Sequence, residues 1–261
     1  MGAPARLDYD GPVATITLDR PERFNALDRD AALALFAIGQ ELAERRDVRV
    51  IVIRGAGRSF CAGGDIETFA AHIDATGPMV TGILEPTHAF LTILRTHPAV
   101  VVTSVQGAAA GGGLSLAFMG DLCVAADTAR FTPAYIRLGV SPDAGGTVGL
   151  ARIVGARRAM QIFLMEDGFS AAQAESWGLV NKVVPEAELG AETAALAKRL
   201  AGFSPAAVAA TKRLIHGTAG RSMAEQLDAE LNELIGCMET EAFREAVHRF
   251  LAKAGKTGGR A

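Results

Sequence analysis

The stretch VVVTSVQGAAAGGGLSLAF, Val100 to Phe118, passes from an apolar, β-branched run of strand length into a turn and then into a helix start built of small residues. From Gly107 onward it holds four glycines and four alanines, and no acid, base or nucleophile apart from Ser115. The working part of such a segment is its backbone. Glycine lets the main chain approach a ligand closely, and N–H groups at a helix start attract negative charge. Groups that move protons must then lie elsewhere in the chain.

Working outward, VATITLD (Val13–Asp19) alternates like a strand, and VRVIVIRG (Val48–Gly55) is a β-branched run ending in glycine. Between them, LDRDAALALFAIGQELAERR carries apolar residues at helical spacing, with Asp28 placed as its cap. The pattern recurs in a helix around His88–Arg95, the run AVVVTSVQG, the glycine-rich helix start and the strand LCVAAD (Leu122–Asp127). An α/β fold follows. After Gly145, ARIVGARRAMQIFLM, SAAQAESWG and everything from Glu186 read as helices, interrupted by the short run LVNKVV (Leu179–Val184). Thr68–Pro86, with Gly77, Pro78, Gly82 and Pro86, predicts a loop or broken helix. From Ser204 the pattern is helical only and amphipathic, which requires packing on the core or on a neighbouring subunit. The closing GKTGGRA is expected to fray.

A chain of 261 residues that is 49% hydrophobic can bury a large core. With 26 basic and 29 acidic side chains, net −3, nothing in its overall charge points to nucleic acid or an anionic membrane as partner. Cys61, Cys123 and Cys237 are far apart, odd in number and without a C-x-x-C pair or histidine cluster, so neither a metal site nor a disulfide framework is expected. No basic-then-apolar leader opens the sequence, and its apolar runs are too short or too interrupted to span a bilayer, so a cytoplasmic location is expected.

Four segments carry a resemblance: RPERFNAL (Arg20–Leu27), GAGRSFCAGGDI (Gly55–Ile66), GAAAGGGLSLAF (Gly107–Phe118) and RLGVSPDAGGTVGLARIVGARRAM (Arg137–Met160). Their order and spacing resemble the enoyl-CoA hydratase/isomerase (crotonase) superfamily from about Val13 to about Ala252. The resemblance implies a crotonase-like ββα spiral that binds acyl-CoA over residues 1–200, followed by a helical trimerisation region over 201–261. It implies a homotrimer or dimer of trimers, and no cofactor beyond the CoA of the substrate. It also implies that the backbone N–H groups of Gly64 and Gly112 stabilise a thioester enolate. Physical chemistry agrees, because an oxygen gaining charge needs preorganised donors, one of them at a helix N-terminus.

The hydratases of this superfamily activate water with two glutamates, and the matching positions here are Ser115 and Tyr135. Neither is a carboxylate, so the two-glutamate route is closed to this chain. Asp143, in SPDAGGT, stands where resembling isomerases and ring-transforming members use an aspartate. A single carboxylate in a partly desolvated pocket suits a 1,3-proton shift. Asp143 also reads as a turn residue that caps the following helix. His88 matches a histidine of the related aryl-CoA dehalogenases, and Tyr135 an aromatic lining residue, although a lone histidine on an apolar helix also reads as structural. For CoA, the resemblance singles out Arg23 as a phosphate contact, Ala62 and Ile66 beside the oxyanion loop, and Phe250 and Lys253 in the tail. Arg23 reads equally as a solvated surface charge. Asp65 reads as an orienter of its loop, and Asp121 as structural. The leading function is an enoyl-CoA isomerase with Asp143 as acid and base. Hydratase-type or aryl-CoA dehalogenase activity, and a non-catalytic acyl-CoA-binding protein, stay open as alternatives.

Overall fold

The computed structural model describes residues 2–257, with side chains through Ala252. Strand β1 (Ala5–Asp10) folds back antiparallel on β2 (Val13–Leu18) through a turn at Gly11, whose φ of 53° suits glycine. Helix α1 (Arg29–Glu44) leads to β3 (Val50–Gly55), and Asp28 caps it by accepting the Ala31 N–H through its side chain. Helices α2 (Ile66–Ala71) and α3 (Thr76–Thr96) then lead to β4 (Val100–Val105). Next come β5 (Ala108–Ala110), α4 (Gly112–Ala117), β6 (Leu122–Ala126), β7 (Arg130–Thr132) and α5 (Gly146–Met165). The series closes with β8 (Phe169–Ser170), α6 (Ala171–Ser176), β9 (Lys182–Val184) and α7 (Leu189–Ala201).

The main sheet has the order β1-β2-β3-β4-β6-β9 and is parallel from β2 onward, while β5-β7-β8 form a second, smaller sheet. Each turn of chain gives a strand first to one sheet and then to the other: β4 then β5, β6 then β7. After β3 the same step shrinks to a single parallel bridge between Cys61 and Ala109. This repetition is the ββα spiral. All six residues of β4 are buried, as a strand with neighbours on both edges and layers on both faces requires. The helices close in where small residues allow it, so that a side chain at Gly39 of α1 would begin 3.1 Å from the ring of Phe90 on α3.

The region 68–86 takes the broken-helix form of the two that were expected, with the break after Ala71. It is mostly helical, with α3 beginning at Thr76 and carrying Pro86 in its interior. A proline ring presses on the carbonyl four residues back, and here that residue is Gly82, which has no side chain to add to the crowding. Conversely, the segment expected as one helix from Ala151 is broken at Gly155, where φ is 77° and ψ 159°.

The described residues fall into two compact units divided between Leu200 and Ala201. The second holds α8 (Pro205–Gly217), α9 (Met223–Met238) and α10 (Glu241–Thr257). Arg213 of α8 grips Glu233 of α9 through two hydrogen bonds of 2.7 and 2.6 Å. Ser222 and Glu225 form the capping box that starts α9. No helix among the described residues is long and apolar enough to cross a membrane.

Candidate active site

The two glycine-rich turns meet edge to edge. The Cys61 N–H donates to Ala108 O (3.1 Å) and the Ala110 N–H to Cys61 O (3.0 Å), which lays the segment after β3 along β5. On the other side, the Leu27 N–H donates to Gly63 O (2.7 Å) and the Asp65 N–H to Leu27 O (3.1 Å). Gly64 is thus clamped between two backbone bonds, and its own N–H has no acceptor among the described residues. Gly112 opens α4, where the first amides of any helix lack an intrahelical acceptor. The turns fit only because they lack side chains. At Gly63, with φ at 87°, a Cβ would lie 2.5 Å from Ala110 O and 3.1 Å from the Gly112 nitrogen. The structure therefore brings together the segments that carry both expected donors, Gly64 and Gly112.

A polar cluster holds the first turn. Asp65 is buried and caps α2, accepting from the Thr68 N–H (3.0 Å) and from Arg23 (2.7 Å), with Arg20 at 3.6 Å. Burial pushes its carboxyl up, but the Thr68 N–H and the two guanidinium groups outweigh that and hold it below the usual carboxylate range. Arg23 is half-exposed and also reaches Glu67 at 3.4 Å, so the expected CoA-phosphate residue is engaged with two carboxylates. Asn25 is a contributor that sequence reading missed. Its buried side-chain amide donates to the carbonyls of Ala56, Ser59 and Phe60 and pins the FNAL turn to the glycine loop. Beside it, exposed Arg58 lies over the ring of Phe24, 4.5 Å from its centroid. Ala62 is half-buried, with its N–H bonded to Phe24 O, and Ile66 is exposed. The buried Cys61 thiol is pushed up to about 12 by desolvation, which leaves it protonated and unreactive at neutral pH.

The second cluster joins the positions that sequence reading singled out for proton chemistry. The Tyr135 hydroxyl donates to Asp143 Oδ1 at 2.7 Å, and Ser115 Oγ lies 2.8 Å from the same hydroxyl. Burial, followed by the Asp143 charge, raises the Tyr135 phenol far above its ordinary value and keeps it a donor. The Asp143 carboxylate does not cap α5. Instead its backbone carbonyl accepts the Gly146 N–H, and the cap position is Gly145 with φ at 74°. The side chain faces α4, where a Cβ built on Gly112 would lie 3.7 Å from Asp143 Oδ1. Among the described residues, four that are not glycine have left-handed φ: Phe24 (52°), Asn25 (56°), Ala134 (53°) and Ala144 (47°). All four sit in these two clusters, two of them next to Tyr135 and Asp143, as strain tends to do at working sites.

His88 is on the exposed side of α3, outside the Ser115, Tyr135 and Asp143 chain. Phe250 is exposed on α10 in the second unit, and the Lys253 side chain lies outside the described residues. Asp121, the residue read as structural, accepts from the Val101 N–H at 2.8 Å and ties the end of α4 to β4. No group of three metal-ligating side chains is assembled among the described residues.

Comparison with known proteins agrees with this architecture. The sequence model of the enoyl-CoA hydratase/isomerase family matches residues 8–257. The 1,2-epoxyphenylacetyl-CoA isomerase of Escherichia coli is 34% identical over 244 residues, covering 92% of each chain. A protein of Rhodobacter capsulatus named "Probable enoyl-CoA hydratase" is 36% identical over 250 residues, covering 95% of each. Among solved structures, an enoyl-CoA hydratase from Polaromonas superposes with a TM-score of 0.90 at 31% identity, over 95% of this chain and 97% of that one. A Thermobifida fusca protein solved in complex with CoA gives 0.81 at 31%, over 90% and 93%. A match across nearly the whole chain, on a spiral core with the same topology, makes this protein an enzyme of the enoyl-CoA hydratase/isomerase family, with the crotonase fold.

Proposed function

We propose that the protein is an enoyl-CoA isomerase that shifts a double bond or rearranges a ring, with Asp143 as its acid and base. In a 3-enoyl-CoA, the Asp143 carboxylate takes a proton from C2. The electron pair of that C–H bond passes into the thioester as an enolate, and the N–H groups of Gly64 and Gly112 stabilise its oxygen. The same carboxyl then returns the proton at C4, giving the 2-enoyl-CoA. The observation that carries this reading is the position of the carboxylate beside the expected donor loop, with Oδ1 3.7 Å from where a Gly112 side chain would begin. Isomerase rather than hydratase chemistry is favoured because Ser115 and Tyr135 carry no carboxylate, and because the E. coli relative is named an isomerase. Within the same proposal, Arg23, Ala62, Ile66, Phe250 and Lys253 contact CoA, and the chain assembles as a homotrimer or dimer of trimers in the cytoplasm.

Asp143→Asn tests the reading directly. A base needed only in the transition state contributes little to holding CoA, so kcat on a 3-enoyl-CoA should fall at least about 10²-fold with KM nearly unchanged. Deuterium exchange from solvent at the α-carbon should fall in parallel. Full isomerase activity in this variant, or its loss in His88→Ala instead, would overturn the assignment. Hydration of a 2-enoyl-CoA, or halide release from a 4-halobenzoyl-CoA, without double-bond migration would replace it with the hydratase or the dehalogenase reading.

A further inference from the structure

We infer that Tyr135, backed by Ser115, is a positioning residue that aims the Asp143 carboxylate by holding Oδ1 and leaving Oδ2 to carry the proton. This rests on the reading of Asp143 as the proton carrier and adds what orients it.

The argument starts from a proton count. The Tyr135 hydroxyl has one hydrogen, and it is given to Asp143 Oδ1 at 2.7 Å. The 2.8 Å contact between Ser115 and Tyr135 must therefore use the serine hydrogen, with Ser115 Oγ donating to the Tyr135 oxygen. Both hydrogens point the same way, toward the carboxylate, and no hydrogen bond reaches Oδ2 from the described residues. Such a chain stabilises a negative charge at its end and fixes its direction.

The ends of the chain differ in rigidity. Ser115 is 1% exposed on α4, and Gly146 is placed so that any side chain there would begin 2.3 Å from its Oγ. Tyr135 is 5% exposed, with its ring edge-on to Phe163 at 6.2 Å. Asp143 sits in a loop ahead of α5, half-buried, without a helix or strand to fix its side chain. The tyrosine therefore transmits the rigidity of α4 to the carboxylate. Proton transfer to carbon tolerates little misalignment, and an error of about 1 Å is worth about 10²-fold in rate.

The test is a cycle on the full-length enzyme with a 3-enoyl-CoA as probe. Tyr135→Phe should lower kcat about 10- to 100-fold with KM within about twofold and the native circular-dichroism spectrum retained. Combined with Asp143→Asn it should cost nothing further, because a residue that acts through Asp143 has nothing left to aim. Two results would overturn the inference while leaving Asp143 as the base: full kcat in Tyr135→Phe, or losses that multiply in the double variant. Full activity in Asp143→Asn would remove the underlying reading and the inference with it. Should Tyr135→Phe fail to fold, Ser115→Ala decides. A threefold to tenfold fall in kcat (roughly, as for one neutral hydrogen bond) at constant KM supports the relay, and an unchanged kcat overturns it.

Discussion

Gly112 and Gly113 are neighbours with opposite constraints. A Cβ at Gly112 would meet Asp143 Oδ1, Gly63 Cα and Leu27 Cδ1 at 3.7 to 3.9 Å, which is ordinary contact, whereas one at Gly113 would sit 2.1 Å from Cys61 O. Gly112→Ala should therefore fold with its thermal midpoint intact while placing a methyl group beside the proposed base, lowering kcat/KM at least about tenfold (~1.4 kcal/mol). Gly113→Ala forces backbone against backbone. It should destabilise by about 1–3 kcal/mol or more, dropping the midpoint by several degrees. Calorimetry and turnover on the two variants check both outcomes, and a stable Gly113→Ala enzyme would contradict the geometry. The glycines themselves were legible in the sequence because their type restricts what they can do. The bond from Tyr135 to Asp143 was not, since it depends on Ala134 and Ala144 taking left-handed conformations that alanine ordinarily avoids.

Among the elements, α2 is tied to the first glycine loop by Asp65, and its stability should carry a pH signature. The folded-state carboxyl lies below its unfolded value of about 3.9, so the stabilisation is fully present above that pH and is lost as pH falls through the folded value. Asp65→Asn keeps a cap for Thr68 but removes the charge facing Arg23 and Arg20. In urea unfolding the variant should be less stable than wild type by about 1–3 kcal/mol at pH 7, with the gap closing below about pH 4. A gap independent of pH would rule out the ion pair as its cause. Asp28, whose carboxyl is pushed up by burial but drawn lower overall by Arg20 and the Ala31 N–H, contributes in the same sense. Elements with long apolar periods, such as α1 and β4, were readable from the sequence. Strands β5, β7 and β8 were not, because two or three residues cannot display an alternation. The helix through Pro86 was hidden by residues that usually stop one.

For the molecule as a whole, the helical C-terminal region was evident from amphipathic spacing, and Leu227, Leu231, Leu234, Ile235 and Met238 of α9 stand exposed in the single chain. Covered by like subunits, this stripe should give a light-scattering mass of three or six chains, and Leu231→Glu should shift it toward one. A monomer at micromolar concentration would remove the oligomeric part of the proposal. The bridge between Cys61 and Ala109 has a different kind of consequence. Because it registers two turns of main chain against each other, the separation between the Gly64 and Gly112 amides is inherited from the spacing of neighbouring strands, with Asn25 and Asp65 holding the first turn in place, and involves none of Ser115, Tyr135 and Asp143. On the proposed reading of these amides, mutation is then free to relocate the acid and base around a fixed electrophile anchor, and a lineage can exchange one reaction for another without first losing its grip on the thioester.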